Sequence, residues 1–141
     1  MALSADTARL YDPAVPPYFI DIPGKASTTF YEGGAVTEES NGGTVDVLTA
    51  SENFVGFVDK NITTTSATER VHVRSQGVLM NVACTGLDNV TDFGVAVYMS
   101  DNGTFTLTST TTNVQIGKVW AYKGTSGYGD IFFQGAHVRS V

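Results

Sequence analysis

Catalysis and metal binding need side chains that ionise, ligate or attack near neutral pH, and this chain carries few of them. Its 141 residues include two histidines and one cysteine. His72 and His137 lie 65 positions apart. His72 falls between Val71 and Val73 in an alternating run, which sends it to the outer face of a strand. Zinc sites need ligands at short, fixed spacings, and the chain has no His-x-His, no His-Glu-x-x-His and no cysteine pair. It has no Asp-x-Asp-x-Asp-Gly calcium loop either. Cys84 cannot form an internal disulfide, and Val82-Ala83-Cys84-Thr85 is the apolar setting of a small buried residue, not of a nucleophile. Gly124-Thr125-Ser126-Gly127 is not a nucleophile elbow, because Tyr128 stands where the second glycine belongs. The glycine-rich loops join strands and do not open helices, so they are poor phosphate cradles. A small hydrolase would need His72 or His137 beside a nucleophile in a cleft, which the strand pattern disfavours. The expectation is a protein with no catalytic residue, no metal and no cofactor.

Two other groups of residues are suited to contact. Trp120, Tyr122 and Tyr128 would form a platform for sugar rings if they were exposed and coplanar. Otherwise they pack a barrel end or a subunit contact, where aromatics dominate. The second group lies in residues 1–17. Asp6 to Leu10 is long enough for one helical turn capped by Ser4. The three prolines of Pro13-Ala14-Val15-Pro16-Pro17 then impose an extended arm. The arm carries Leu10, Tyr11 and Val15, apolar anchors that a solvated leader does not need. Such a segment covers much area per residue when it lies on a partner.

The elements that must position these residues read as short strands. The clearest is a hairpin, Gly94 to Leu107, around Asp101-Asn102-Gly103. A three-residue loop with Gly103 left-handed pairs Met99 with Phe105 and Val97 with Leu107. That register gathers Val95, Val97, Met99, Phe105 and Leu107 on one face and turns Thr104, Thr106 and Thr108 outward. A one-residue slip would invert every side chain. Tyr18–Ile22 is a strand ended by Pro23-Gly24. Phe54–Val58 is apolar on both faces, as a central strand is, and Gly56 marks a bulge or close approach. Residues 61–69 read as a threonine-rich loop. Val71-His72-Val73 and Gly77–Val82 read as two strands joined through Ser75-Gln76-Gly77. Gly86 to Asp92 is a short helix or wide loop. In Val114–Tyr122, a bulge at Gly117 would let Val114, Ile116, Val119 and Ala121 all face the core. Short strands without amphipathic helices between them predict an all-β antiparallel barrel or sandwich. The division is an arm over residues 1–17 and a single β domain over 18–141.

Composition narrows the partners. A chain of this length buries roughly 70% of its unfolded surface, so it needs neither disulfides nor metal. The net charge is −6. Residues 1–69 hold ten acidic and three basic side chains, and residues 70–141 hold four and five. No cluster of Lys and Arg offers itself to phosphates, so no nucleic-acid partner is expected. The N-terminus lacks the pattern of a signal peptide, and no run approaches the ~20 apolar residues that span a bilayer, so no membrane partner is expected.

The order of pieces resembles the small head-decoration, or capsid cement, proteins of tailed bacteriophages. The matching pieces are Glu32-Gly33-Gly34-Ala35-Val36, Phe54-Val55-Gly56-Phe57-Val58, and Gly77-Val78 after the Val71-x-Val73 strand. They continue with Gly94-Val95-Ala96-Val97-Tyr98 and its Asp-Asn-Gly hairpin, Ile116-Gly117-Lys118-Val119, and a terminal strand. The likeness spans roughly residues 26–135, and the proline-rich leader lies outside it. The resemblance implies a compact β fold of barrel or tulip type and a homotrimer. It implies a virion protein on the outer capsid surface, assembled in the host cytoplasm, that binds the major capsid protein without catalysis. A protein that binds only the mature lattice stabilises that lattice by mass action. On this reading Leu10, Tyr11, Val15, Pro16 and Pro17 contact the capsid or a neighbouring subunit. The alternative is a carbohydrate-binding β module of a surface adhesin, using Trp120, Tyr122 and Tyr128.

Overall fold

The computed structural model describes residues 1–40 and 43–138. In chain order the strands are β1 (Tyr18–Pro23), β2 (Thr29–Phe30), β3 (Ala35–Glu38), β4 (Val45–Val47), β5 (Phe54–Val58) and β6 (Ile62–Thr63). They continue with β7 (Arg70–Thr85), β8 (Ala96–Met99), β9 (Phe105–Thr106), β10 (Val114–Ala121) and β11 (Tyr128–Gln134). One 3₁₀ turn, Val90–Asp92, precedes β8.

The long strand β7 carries the architecture. Val71, Val73 and Ser75 are buried while His72, Arg74 and Gln76 face outward, the alternation that a strand imposes. The sequence predicts a break at Ser75-Gln76-Gly77, and the structure corrects this to one continuous strand. Ser75 is buried within it. Gly77 packs closely under Phe133: a Cβ there would stand 3.3 Å from Phe133 Cζ. What remains of the predicted break is a register shift against β1 between Arg74 and Gln76, and a second irregularity lies at Asn81, which adopts a φ of +52°. Its N–H donates at 2.9 Å to the buried carboxylate of Asp130. Beyond it, Val82 and Cys84 turn inward.

The strand serves two layers. Its C-terminal half joins β11, β10, β8 and β9 in a closed five-strand barrel. Neighbours in the barrel are antiparallel except at the seam, where β9 runs parallel to β7 with Phe105 opposite Cys84. Its N-terminal half pairs β1 on one edge and β5 on the other, and β5 continues to β3 and β4. The all-β barrel expected from the strand pattern is what the chain forms. All five residues of β5 are buried, as its two apolar faces require. Phe54, Phe57 and Phe133 meet edge to face, the last two with centroids 4.8 Å apart. Each such ring stabilises the core by roughly 1.5–3 kcal/mol through removal from water. A second cluster of Phe30, Val36, Val45, Val55, Val58, Val71 and Val73 fills the other layer.

Local expectations fare unevenly. The hairpin has the predicted register, with Met99 opposite Phe105 and Tyr98 opposite Thr106. Gly103 is not among the glycines with positive φ. A Cβ there would stand 2.8 Å from the Met1 carbonyl oxygen and 2.7 Å from Leu3 Cδ2. Thr106, expected outside, is buried. The bulge in β10 falls at Ile116 and Gly117, and Val114, Ile116 and Val119 are all buried. At Gly117 a Cβ would stand 1.8 Å from the Phe132 carbonyl oxygen. The threonine loop of 61–69 contains β6, which pairs with β2. Asp6 to Leu10 forms no helical turn; its polar groups bond to the domain instead.

Candidate functional site

Residues 1–12 lie along the side of the barrel, on the edge of β7 between its pairings with β1 and β9. Thr7 N–H donates to the Glu32 carbonyl at 2.9 Å. The Asp6 carboxylate accepts from Glu32 N–H at 2.9 Å and Asn61 Nδ2 at 2.7 Å. Leu3 N–H donates at 2.9 Å to Asn102 Oδ1, buried in the hairpin loop. Further along, Met80 N–H donates to the Leu10 carbonyl at 2.8 Å, and Asp12 N–H to the Val78 carbonyl at 2.9 Å. Tyr11 therefore sits opposite Leu79 as a further antiparallel rung.

The side chains of this seat form a layered stack. The Arg74 guanidinium lies 3.9 Å over the Tyr11 ring and 4.8 Å over the Phe19 ring. Phe19 in turn stacks on His72 at 5.1 Å. Tyr11 also packs 6.0 Å from Phe133 at the core edge. Burial pushes the Tyr11 phenol up to about 12, against the opposing pull of Arg74 and Arg9. Arg9 donates to the Gly33 carbonyl at 3.0 Å and lies over the Phe105 ring at 5.3 Å. Burial pulls its guanidinium below the usual range. Arg9 Nη2 and Arg74 Nε are buried without a partner. An unmet buried donor costs about 1–3 kcal/mol, so the seat is incompletely paired.

The arm residues singled out from sequence divide between the two sides of this seat. Tyr11 is turned to the domain. Val15 is half-buried, and Leu10, Pro16 and Pro17 are exposed. Leu10 at 65% exposure, Tyr18 at 49% and Phe19 at 38% continue this apolar row into β1. Arg9, Phe19, Arg74 and Asn102 were not foreseen. No spacing in the sequence marks them, since each acts through a partner more than 20 positions away.

The aromatic trio is also divided. Trp120 and Tyr128 are exposed, and Trp120 stacks on Phe132 at 5.7 Å. Tyr122 is half-buried against the barrel core. Beside Trp120 an open groove of about 430 Å³ runs over Gly117, between Ala96, Lys118 and Phe132. Exposed Val90 and Phe93 on the 3₁₀ turn add a second apolar patch.

The two histidines lie beside carboxylates at the surface. His72 Nδ1 is 2.7 Å from Asp21 Oδ1, and its Nε2 is 3.7 Å from Asp59. His137 Nε2 is 3.7 Å from Glu38. Cys84 is buried, and its thiol is pushed up to about 11 by that burial and by Asp92. Among the described residues, no three His, Cys, Asp or Glu side chains are grouped to hold a metal ion. No helix among them is long and apolar enough to cross a membrane. The chain matches no protein-family model and no curated protein.

Proposed function

We propose that this is a structural virion protein that decorates the outer surface of a tailed-phage head and stabilises it by binding the major capsid protein. The observation that carries the reading is the apolar row of Leu10, Pro16, Pro17, Tyr18 and Phe19, presented to solvent on a segment anchored by Tyr11. Anchoring before binding lowers the ordering loss that a free leader would suffer on contact. The order of glycine and valine motifs across residues 26–135 supports the same reading. Repetition over a lattice makes modest contacts sufficient, because a ligand of the expanded shell alone shifts the balance toward that shell. In this reading the protein acts as a homotrimer, transforms no substrate and is placed on heads in the host cytoplasm.

The test is binding to expanded heads. Combined Leu10→Ser, Pro16→Ser and Pro17→Ser substitutions keep Tyr11 and the seat intact. They are expected to weaken binding at least tenfold, about 1.4 kcal/mol. Undiminished binding would refute the contact, and removal of residues 2–17 gives the limiting case. Sedimentation tests the trimer. The second reading, a carbohydrate-binding module, draws on the exposed Trp120 beside the Lys118 groove. A glycan array that lights up with the native protein and goes dark with Trp120→Ala would favour it.

A further inference from the structure

A cleft of about 180 Å³ lies between the arm and the domain, and side chains of both charges surround it. Arg9 and Tyr11 reach it from the arm, Glu32 from the turn before β3, Asp59 from just after β5 and Arg74 from β7. All five residues are half-buried. The Gly33 N–H donates to the Val58 carbonyl at 2.9 Å, which sets Glu32 and Asp59 on adjoining segments.

Charges drawn out of water are favoured by a partner that replaces it, yet these four do not pair with one another. Among the described residues, no ion pair includes Arg9, Arg74 or Glu32, and Asp59 approaches only His72, at 3.7 Å. Arg9 donates from Nε to the Gly33 carbonyl at 3.0 Å. The Arg74 side chain donates no hydrogen bond among the described residues and is held by the ring faces of Tyr11 and Phe19. Both guanidiniums therefore keep donors unspent, in the planar fork that suits a carboxylate.

Size and charge together select an occupant. The cleft has the volume of about six waters at ~30 Å³ each, room for a molecule of about six heavy atoms. A lone anion there would face Glu32 and Asp59, and a lone cation would face Arg9 and Arg74. A molecule with a carboxylate and an ammonium on one carbon complements both sets.

We infer that this cleft binds a small zwitterion, a free α-amino acid of the size of glycine or alanine. Its carboxylate accepts from Arg9 and Arg74, and its ammonium donates to Glu32 and Asp59. Arg9 belongs to the arm and the other three to the domain, so an occupied cleft ties the arm to its seat and stabilises that state by mass action. This inference does not rest on a capsid partner.

Calorimetry on the full chain at neutral pH tests it, with glycine, alanine, acetate and ethylammonium as probes. Alanine is expected to bind saturably with a Kd of roughly 1 mM or tighter, and acetate and ethylammonium about tenfold more weakly or less still. Arg74→Gln and Asp59→Asn each remove one charge, from opposite sets, and each should weaken alanine about tenfold. Circular dichroism matching the native protein separates lost binding from lost folding. Saturating alanine should also slow amide exchange at Met80, whose N–H is held by the Leu10 carbonyl, and acetate should not. No saturable binding of glycine or alanine overturns the inference and leaves the cleft to water. Acetate binding as tightly as alanine overturns it in favour of a simple anion site. Alanine binding unchanged in both folded variants overturns it as well.

Discussion

At the scale of single residues, position in the fold sets the chemistry. Cys84 reads as a small apolar residue from its neighbours, and it is buried opposite Phe105 at the barrel seam. Its thiol should resist a disulfide reagent at pH 8 in the native protein and react at once in denaturant. Prompt native reactivity would show that the seam opens readily. Two buried acids also shape the alkaline limb of stability. Cys84 rises from 9.0 to about 11 and Tyr11 from 10.0 to about 12, burial being the main cause of each. A group whose native pKa is raised stabilises fully below its unfolded pKa and loses that contribution as pH passes through the native one. Stability should therefore decline across pH 9 to 12, and Tyr11→Phe should remove the part above pH 10. Arg74 joins Tyr11 to Phe19, so Arg74→Ala should loosen the arm by about 0.5–2 kcal/mol. Faster amide exchange at Met80, whose N–H is capped by Leu10, is the expected readout.

At the scale of elements, legibility depended on how local the cause was. The hairpin register was readable because one face of Val97, Met99 and Phe105 must be buried and only one pairing buries all three. The β10 bulge was readable for the same reason: Ile116 and Val119 can share a face only if one residue is added between them. Gly117→Ala should cost about 3 kcal/mol or more in denaturant unfolding, because the new methyl overlaps the Phe132 carbonyl. Gly124→Ala, with open space around it and a φ of +96°, should cost only about 1 kcal/mol. Equal losses would mean that backbone conformation, not the strand contact, explains Gly117. The continuity of β7 was not readable. Ser75-Gln76-Gly77 has turn chemistry, and only β1, β5 and β11 pairing along its edges hold it extended.

At the scale of the whole molecule, closure joins distant parts of the chain: β9 to β7, β11 to β7, and β1 to β7. Loops this long must close before their contacts stabilise anything, so refolding should take roughly milliseconds to seconds, as for other β barrels. Stopped-flow refolding in the microsecond range would contradict that. The strand class, the hairpin register, the β10 bulge and the burial of Cys84 were legible in the sequence. Each follows from alternation or turn residues, which act within a few residues. Long-range contacts alone make β7 a single strand, turn Tyr11 inward while Leu10 faces out, and bring Arg9, Arg74 and Asn102 together in the seat. Those outcomes depend on pairings across tens of residues, where backbone hydrogen bonds and burial override what the local sequence prefers.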